Sequence, residues 1–160
     1  MDTTSLKKII INNLNDYLKP LGYKHKGNWY TATTNNDLTY YINLQSSTAS
    51  TNQLLKITLN IEIASAKLAA FDDDRMPIDQ RRHFTKRIGF YLDNPEDRWW
   101  TVSDENTANT CADEIIRLFE KKALPQIKEI RSTNDLVDLM KKSNTEKTIS
   151  FFREKYIGFF

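Results

Sequence analysis

The sequence predicts an α+β fold, an antiparallel sheet of four to five strands packed on an N-terminal helix and C-terminal helices. Three observations carry that expectation. Leu6, Ile9, Ile10, Leu14, Tyr17 and Leu18 recur at spacings of three and four, the apolar stripe of a helix over 5–19. Leu55, Ile57, Leu59, Ile61 and Ile63 alternate with Lys56, Thr58, Asn60 and Glu62, which is a strand with one face in the core and one in water. From about Thr107 the apolar spacing is helical again. Helix, then strands, then helices is an α+β order. At 160 residues the chain is long enough to bury a core as one domain over 1–160.

The elements follow in order. Thr3, Thr4 or Ser5 can cap the first helix, and Pro20 and Gly22 end it. Lys24-His25-Lys26-Gly27 reads as a basic turn, followed by a short strand over 28–33. The Asn35-Asn36-Asp37 cluster turns the chain into a second strand, with Leu38, Tyr40, Ile42 and Leu44 on one face. The strictly alternating strand comes after the polar run Ser46 to Asn52. Residues 66–82 read as a long exposed loop containing Asp72-Asp73-Asp74-Arg75 and Pro77, and long loops in compact domains are often functional or mobile. Two more strands are expected over 84–92 and 98–102, joined by Asp93-Asn94-Pro95-Glu96. Ala108, Cys111, Ile115, Leu118 and Phe119 stripe a helix over about 107–122, which Pro125 kinks or restarts. Ser132 or Thr133 caps a short helix bearing Leu136, Leu139 and Met140. Ser143-Asn144-Thr145-Glu146 has the capping-box pattern of a last helix through Phe151, Phe152 and Tyr156. The first and penultimate long helices are expected to cover one sheet face.

Composition narrows the function. A net charge of +2, from 23 basic and 21 acidic residues, lacks the basic excess of a nucleic-acid binder and disfavours that class. The single cysteine, Cys111, makes no intramolecular disulfide framework and suits a reducing compartment. Ile9-Ile10-Ile11 is too short for a signal sequence, the chain opens with Met1, and no apolar run approaches a membrane span. The expectation is a cytoplasmic protein with no membrane partner. The four glycines form no GxGxxG or GxxxxGK phosphate cradle, and neither GxSxG nor HExxH occurs. No catalytic residue is assigned, and no pattern calls for a cofactor. The three aspartates at 72–74 lack the spacing and distal Glu of a calcium loop, and neither histidine has metal-ligand spacing, so no metal is expected.

Leu18-Lys19-Pro20-Leu21-Gly22-Tyr23-Lys24-His25-Lys26-Gly27-Asn28-Trp29-Tyr30 resembles the opening of a bacterial domain of unknown function, family 4304: a helix, a glycine-containing basic turn, then an aromatic strand. The similarity continues through Tyr41-Ile42-Asn43-Leu44-Gln45-Ser46, Arg87-Ile88-Gly89, Trp99-Trp100, Leu124-Pro125 and the Ser132-to-Leu139 segment. It departs at Tyr23, where phenylalanine is expected, and at the segment from Asp72 to Pro77. The resemblance implies a fold and carries no activity.

Candidate site residues gather where aromatic and basic side chains meet. Arg81-Arg82-His83 with Lys86-Arg87 is the densest basic cluster, and Trp99-Trp100 follows it. Adjacent strand residues point to opposite faces, so one indole enters the core and the other lies outside it. The outward indole with Arg87 makes a binding wall through cation–π contact or a grip on an anion. Arg82, His83, Arg87, Trp99 and Trp100 are therefore the candidate binding residues. The plainer alternatives are a charged strand edge, an Arg87 paired with an aspartate of the 72–79 loop, and histidines that are solvated. Three functions fit: a non-enzymatic module recognising another protein, of which an immunity-type protein is one form; a binder of a small anion through Arg82, Arg87 and a tryptophan; and an enzyme using His83 with a carboxylate from the 72–79 loop.

Overall fold

The alternating segment forms the longest strand, Leu55–Ser65, in a computed structural model that describes residues 1–34 and 37–160. Around it the sheet contains β1 (Lys24–Lys26), β2 (Trp29–Thr33), β3 (Leu38–Ser46), β4 (Leu55–Ser65), β5 (Phe84–Arg87) and β6 (Trp100–Val102). Every pairing is antiparallel. β1 to β4 form a meander, and β3 occupies one edge of β4. The other edge is shared: β5 pairs with Asn60 to Ile63, and β6 pairs with Leu55 to Ile57.

The helices are α1 (Thr3–Leu18), the single turn α2 (Ala66–Ala69), α3 (Glu105–Leu118), α4 (Leu124–Glu129), α5 (Thr133–Ser143) and α6 (Glu146–Lys155). The alternating apolar face of β4 supplies two buried clusters. In one, Ile57, Leu59 and Ile61 meet Leu6, Ile10, Leu14 and Leu18 of α1 and Ala108, Cys111, Ala112 and Ile115 of α3. In the other, Leu38, Ile63, Leu68 and Phe84 meet Leu136, Val137 and Met140 of α5 and Tyr156 just beyond α6. The first and penultimate long helices thus share a sheet face, as the sequence indicates. Full burial of each Leu or Ile is worth roughly 1.5–3 kcal/mol, and this apolar burial defines the architecture. Cys111 is one of these buried groups, and burial pushes its thiol up to about 12. No helix among the described residues is long and apolar enough to cross a membrane.

Several local expectations are corrected. Asp2, not Thr3, Thr4 or Ser5, caps α1, its carboxylate accepting from the Ser5 amide at 2.8 Å. The basic turn Lys24-His25-Lys26 is a strand, hydrogen-bonded to β2 across a turn at Gly27, whose φ of 62° lies in the left-handed region. Asn35 and Asn36 of the expected turn lie outside the described residues, while Asp37 beside them has a φ of 64°. The strand expected over 84–92 stops at Arg87, and Ile88–Tyr91 form a 3-10 turn. Gly89 explains the change. A Cβ there would run into the carbonyl oxygen of Glu96 and come within 2.6 Å of the Arg98 amide nitrogen. The chain therefore folds back over Gly89, leaves the sheet, and returns as β6 only at Trp100 rather than at Arg98.

The helix after Thr107 is longer than its stripe suggests. It starts at Glu105 behind the Asp104 cap, and it continues past Leu118 through a wide turn at Phe119–Ala123. There the Leu124 amide reaches back five residues to the Phe119 carbonyl. Pro125 then sits in the first turn of α4, where its missing N–H costs least. Thr145 rather than Ser143 caps α6. The 66–82 segment is partly ordered into α2 and a 3-10 turn at Ile78–Gln80.

Candidate functional site

Alternation that buries the odd-numbered residues of β4 turns its even-numbered ones to the opposite, outer face. Register aligns these into rows. Trp29, Asn43, Asn60 and Arg87 lie side by side across β2, β3, β4 and β5, and Thr31, Tyr41, Glu62 and Thr85 form the next row. Side chains directly opposite across a ladder are neighbours, so the outer face is a continuous surface of aromatic, amide and charged groups.

Arg87 stands at the end of the first row. Its Nη1 donates to Asp97 Oδ1 at 2.8 Å, its Nε to Asn60 Oδ1 at 3.2 Å and its Nη2 to Gln45 Oε1 at 3.1 Å. Its guanidinium carbon lies 5.0 Å from the centre of the Trp99 ring. Arg87 therefore does have an aspartate partner, but that partner is Asp97 and not an aspartate of the 72–79 loop. Hydrogen bonds from Arg87, and secondarily from Trp99, hold the Asp97 carboxyl below its ordinary value.

The tryptophan pair divides as alternation requires. Trp100 is 7% exposed and belongs to the first cluster, with its Nε1 donating to Glu114 Oε2 at 2.6 Å. Trp99 is half-buried beside Arg87. The outward indole is Trp99, and Trp100 faces the helices.

Arg82 makes a second stack on the same face. Its guanidinium carbon sits 3.4 Å from the centre of the Tyr41 ring and 5.4 Å from that of Trp29, and the two rings meet edge-on at 6.1 Å. Its Nη1 donates to the Asp79 carbonyl at 2.6 Å, and its Nε lies 3.7 Å from Glu62 Oε2. Burial pushes the Glu62 carboxyl up, and Arg82 only partly offsets this. An open groove of about 790 Å³ runs along the stack, bounded by Lys26, Gly27 and Gln80. Trp29 and Tyr41 were not singled out in the sequence as site residues. Tyr41 lies on the polar side of β3, and only the strand pairing brings Trp29 and Arg82 to it.

His83 does not join this face. It is 8% exposed, which corrects the expectation of a solvated histidine. Its Nδ1 accepts the Ser65 amide at 3.0 Å, so Nε2 carries the proton and donates to Asp72 Oδ2 at 2.8 Å. Asp72 Oδ1 receives the Tyr156 hydroxyl and the Lys155 ammonium, each at 2.8 Å. Burial favours the neutral imidazole more strongly than Asp72 favours the charged one. With both ring nitrogens engaged, His83 is a structural tie. His25 by contrast is exposed and rests against Tyr30, ring centres 5.0 Å apart.

Arg81 is buried too, and its partners are carbonyls rather than acids: Ala69 at 2.6 Å, Met76 at 2.8 Å and Asp73 at 3.2 Å. The basic run at 81–87 is thus split, with Arg82 in the irregular chain before β5 and Arg87 at the end of that strand. Arg81 and His83 hold the 66–82 segment, while Arg82 and Arg87 reach the outer face. Chemically, that face can stack planar groups and bind carboxylates. Among the described residues no group of three His, Cys, Asp or Glu side chains could hold a metal ion.

No curated protein and no solved structure matches the chain. A family model does match, over residues 14–129, which include every outer-face residue named above and stop before the Ser132-to-Leu139 segment. The family's description assigns no activity. On that match the chain belongs to the family described as Domain of unknown function (DUF4304).

Proposed function

We propose that this protein is a non-enzymatic cytoplasmic module that recognises another protein through the outer face of its sheet, with Trp29, Tyr41, Arg82, Arg87 and Trp99 as anchors. The observation that carries the reading is the pair of guanidinium–aromatic stacks, Arg82 on Tyr41 and Arg87 on Trp99, on one strand-built face. Arginine and tryptophan dominate binding hot spots because they offer large area with directional donors, and a stack already formed loses less freedom on binding. The face is broad, spanning β1 to β5, which suits contact with a protein surface. Lys24 and Lys26 share the face with Arg82 and Arg87, against Glu62 and Asp97. That excess of cations favours a partner surface rich in carboxylates. A toxin held by an immunity-type protein is one form such a partner takes.

The test compares the native chain with an Arg82→Glu/Arg87→Glu variant and with Arg153→Glu on α6. A protein retained by the first and third but lost by the second, and then bound as a purified species, supports the reading. Retention that ignores the outer-face charges overturns it. Saturation of the face by a small dianion such as inorganic phosphate favours the small-anion reading instead.

A further inference from the structure

A second site lies on the helix side of the sheet, away from the outer face. We propose that the groove between α3 and the segment from Leu92 to Trp100 binds a small amphipathic anion, a ring or acyl chain carrying one carboxylate.

The groove is open to solvent and offers about 520 Å³, a volume within the range of small-molecule sites. Its floor is apolar: Leu92, Leu118 and Trp100 line it. The indole N–H of Trp100 is committed to Glu114, so the polar edge of the ring is tied to α3. The rim is cationic. Arg98, Arg117, Lys121 and Lys122 surround the floor, with Glu96 and Glu114 as the acids among them. Lys122 is neutralised by Asp93 at 3.0 Å. Arg98 lies over the Trp100 ring at 5.3 Å, and its acids stand off at 3.8 Å (Glu96) and 4.0 Å (Glu114). Among the described residues its guanidinium makes no hydrogen bond, and Arg117 and Lys121 have no acid within ion-pair distance. Among the described residues Arg117 and Lys121 thus lack an ion-pair partner above the apolar floor, and Arg98 is shared between two acids at the outer limit of ion-pair distance.

The backbone presents them together. Arg117 and Leu118 lie one turn before Lys121 and Lys122, and the five-residue turn at Phe119–Ala123 lies between α3 and α4. Residues four apart on a helix share a face, so both lysines fall on the groove side with Arg117 and Leu118. Wide turns of this kind recur at functional sites because they cost helix regularity. An apolar body placed on Trp100 and Leu118 gains by leaving water, and its carboxylate meets Arg98, Arg117 and Lys121, to which guanidinium offers paired donors. A neutral body would gain only the first, and an inorganic anion only the second.

The probe is 2-naphthoate titrated into the full chain, followed through the three indole N–H resonances. Saturable one-to-one binding that moves the Trp100 resonance most is expected, with 2-naphthol, the same ring without the carboxylate, at least tenfold weaker. Arg117→Glu/Lys121→Glu, both exposed positions, should weaken naphthoate at least tenfold, while Arg153→Glu, exposed on α6, leaves it unchanged. Equal binding of naphthol and naphthoate, no saturation at millimolar naphthoate, or indifference to the Arg117/Lys121 reversal overturns the proposal. The naphthoate–naphthol comparison needs no variant, so a folding defect in the double variant leaves the test intact.

Discussion

At the scale of single residues, neighbours in sequence hold opposite duties. Trp100 fills the first cluster and gives its N–H to Glu114, whereas Trp99 covers Arg87. Trp100→Ala should therefore cost about 3–5 kcal/mol in denaturant unfolding. Trp99→Ala should cost clearly less, because Trp99 is only half-buried and lies outside both buried clusters. Equal losses from the two would contradict the division. Gly89 admits no side chain, since Glu96 and Arg98 backbone atoms occupy the space. Gly89→Ala should cost at least the roughly 1–3 kcal/mol of an overpacked site, measured by the same unfolding curve. The split between the tryptophans was legible, because strand alternation alone demands it. The role of Gly89 was not, since its contacts come from the returning chain. Nor was the burial of His83, which directly follows Arg81 and Arg82 in sequence, yet sits against Ser65, Asp72 and Tyr156.

At the scale of elements, long periodic segments declared themselves and short ones did not. α1 and β4 have enough turns or alternations to fix a face. β1 and β6, three residues each, exist only because a longer strand pairs with them. The 66–82 segment gains its order from buried side chains, Arg81 reaching its carbonyls and His83 reaching Asp72. This tie makes the junction with α6 sensitive to acid. Burial lowers the His83 pKa below its ordinary 6.5, against the pull of Asp72, so the folded ring resists a proton that the unfolded one accepts. Its contribution is whole above about pH 6.5 and is lost as pH falls below that. Asp72 acts lower on the scale. Burial pushes its carboxyl up, but hydrogen bonds from Lys155, His83 and Tyr156 outweigh this and hold it below 3.8. Its contribution is present above that value and lost as pH falls further. Unfolding free energy should therefore fall as pH drops below about 6.5, with an extra slope of at most about 1.4 kcal/mol per pH unit from this one proton. His83→Gln should remove that extra slope. An unchanged slope in the variant would show that His83 takes up its proton in the folded state as readily as in the unfolded one.

At the scale of the whole molecule, the chain joins a family-matched portion, 14–129, to helices that lie beyond it. Phe71 and Asp72, within the matched portion, are held by residues from those helices and the chain after them. Asp72 takes Tyr156 and Lys155, and Phe71 meets Tyr156 and Phe159 edge-on at 6.5 and 6.2 Å. The second cluster joins Leu38, Ile63, Leu68 and Phe84 of the matched portion to side chains beyond it, from Ile130 to Tyr156, whereas the first is built within the matched portion and the start of α1. Stability need not be uniform across such a molecule, because each cluster is held by its own buried area. Met140, 1% exposed in the second cluster, tests this. Met140→Ala removes core volume and should cost about 2–5 kcal/mol locally. Hydrogen exchange should then quicken across α5, α6 and residues 66–82. The amides of α1, α3 and the Leu55-to-Ile61 part of β4 should keep their protection, because their burial does not depend on Met140. The outer-face stacks rest on β2, β3 and β5, so binding through Arg87 should also survive. If α1 and α3 lose protection in step with α6, the two clusters unfold as one unit, and the 66–82 segment depends on the first cluster as much as on the second.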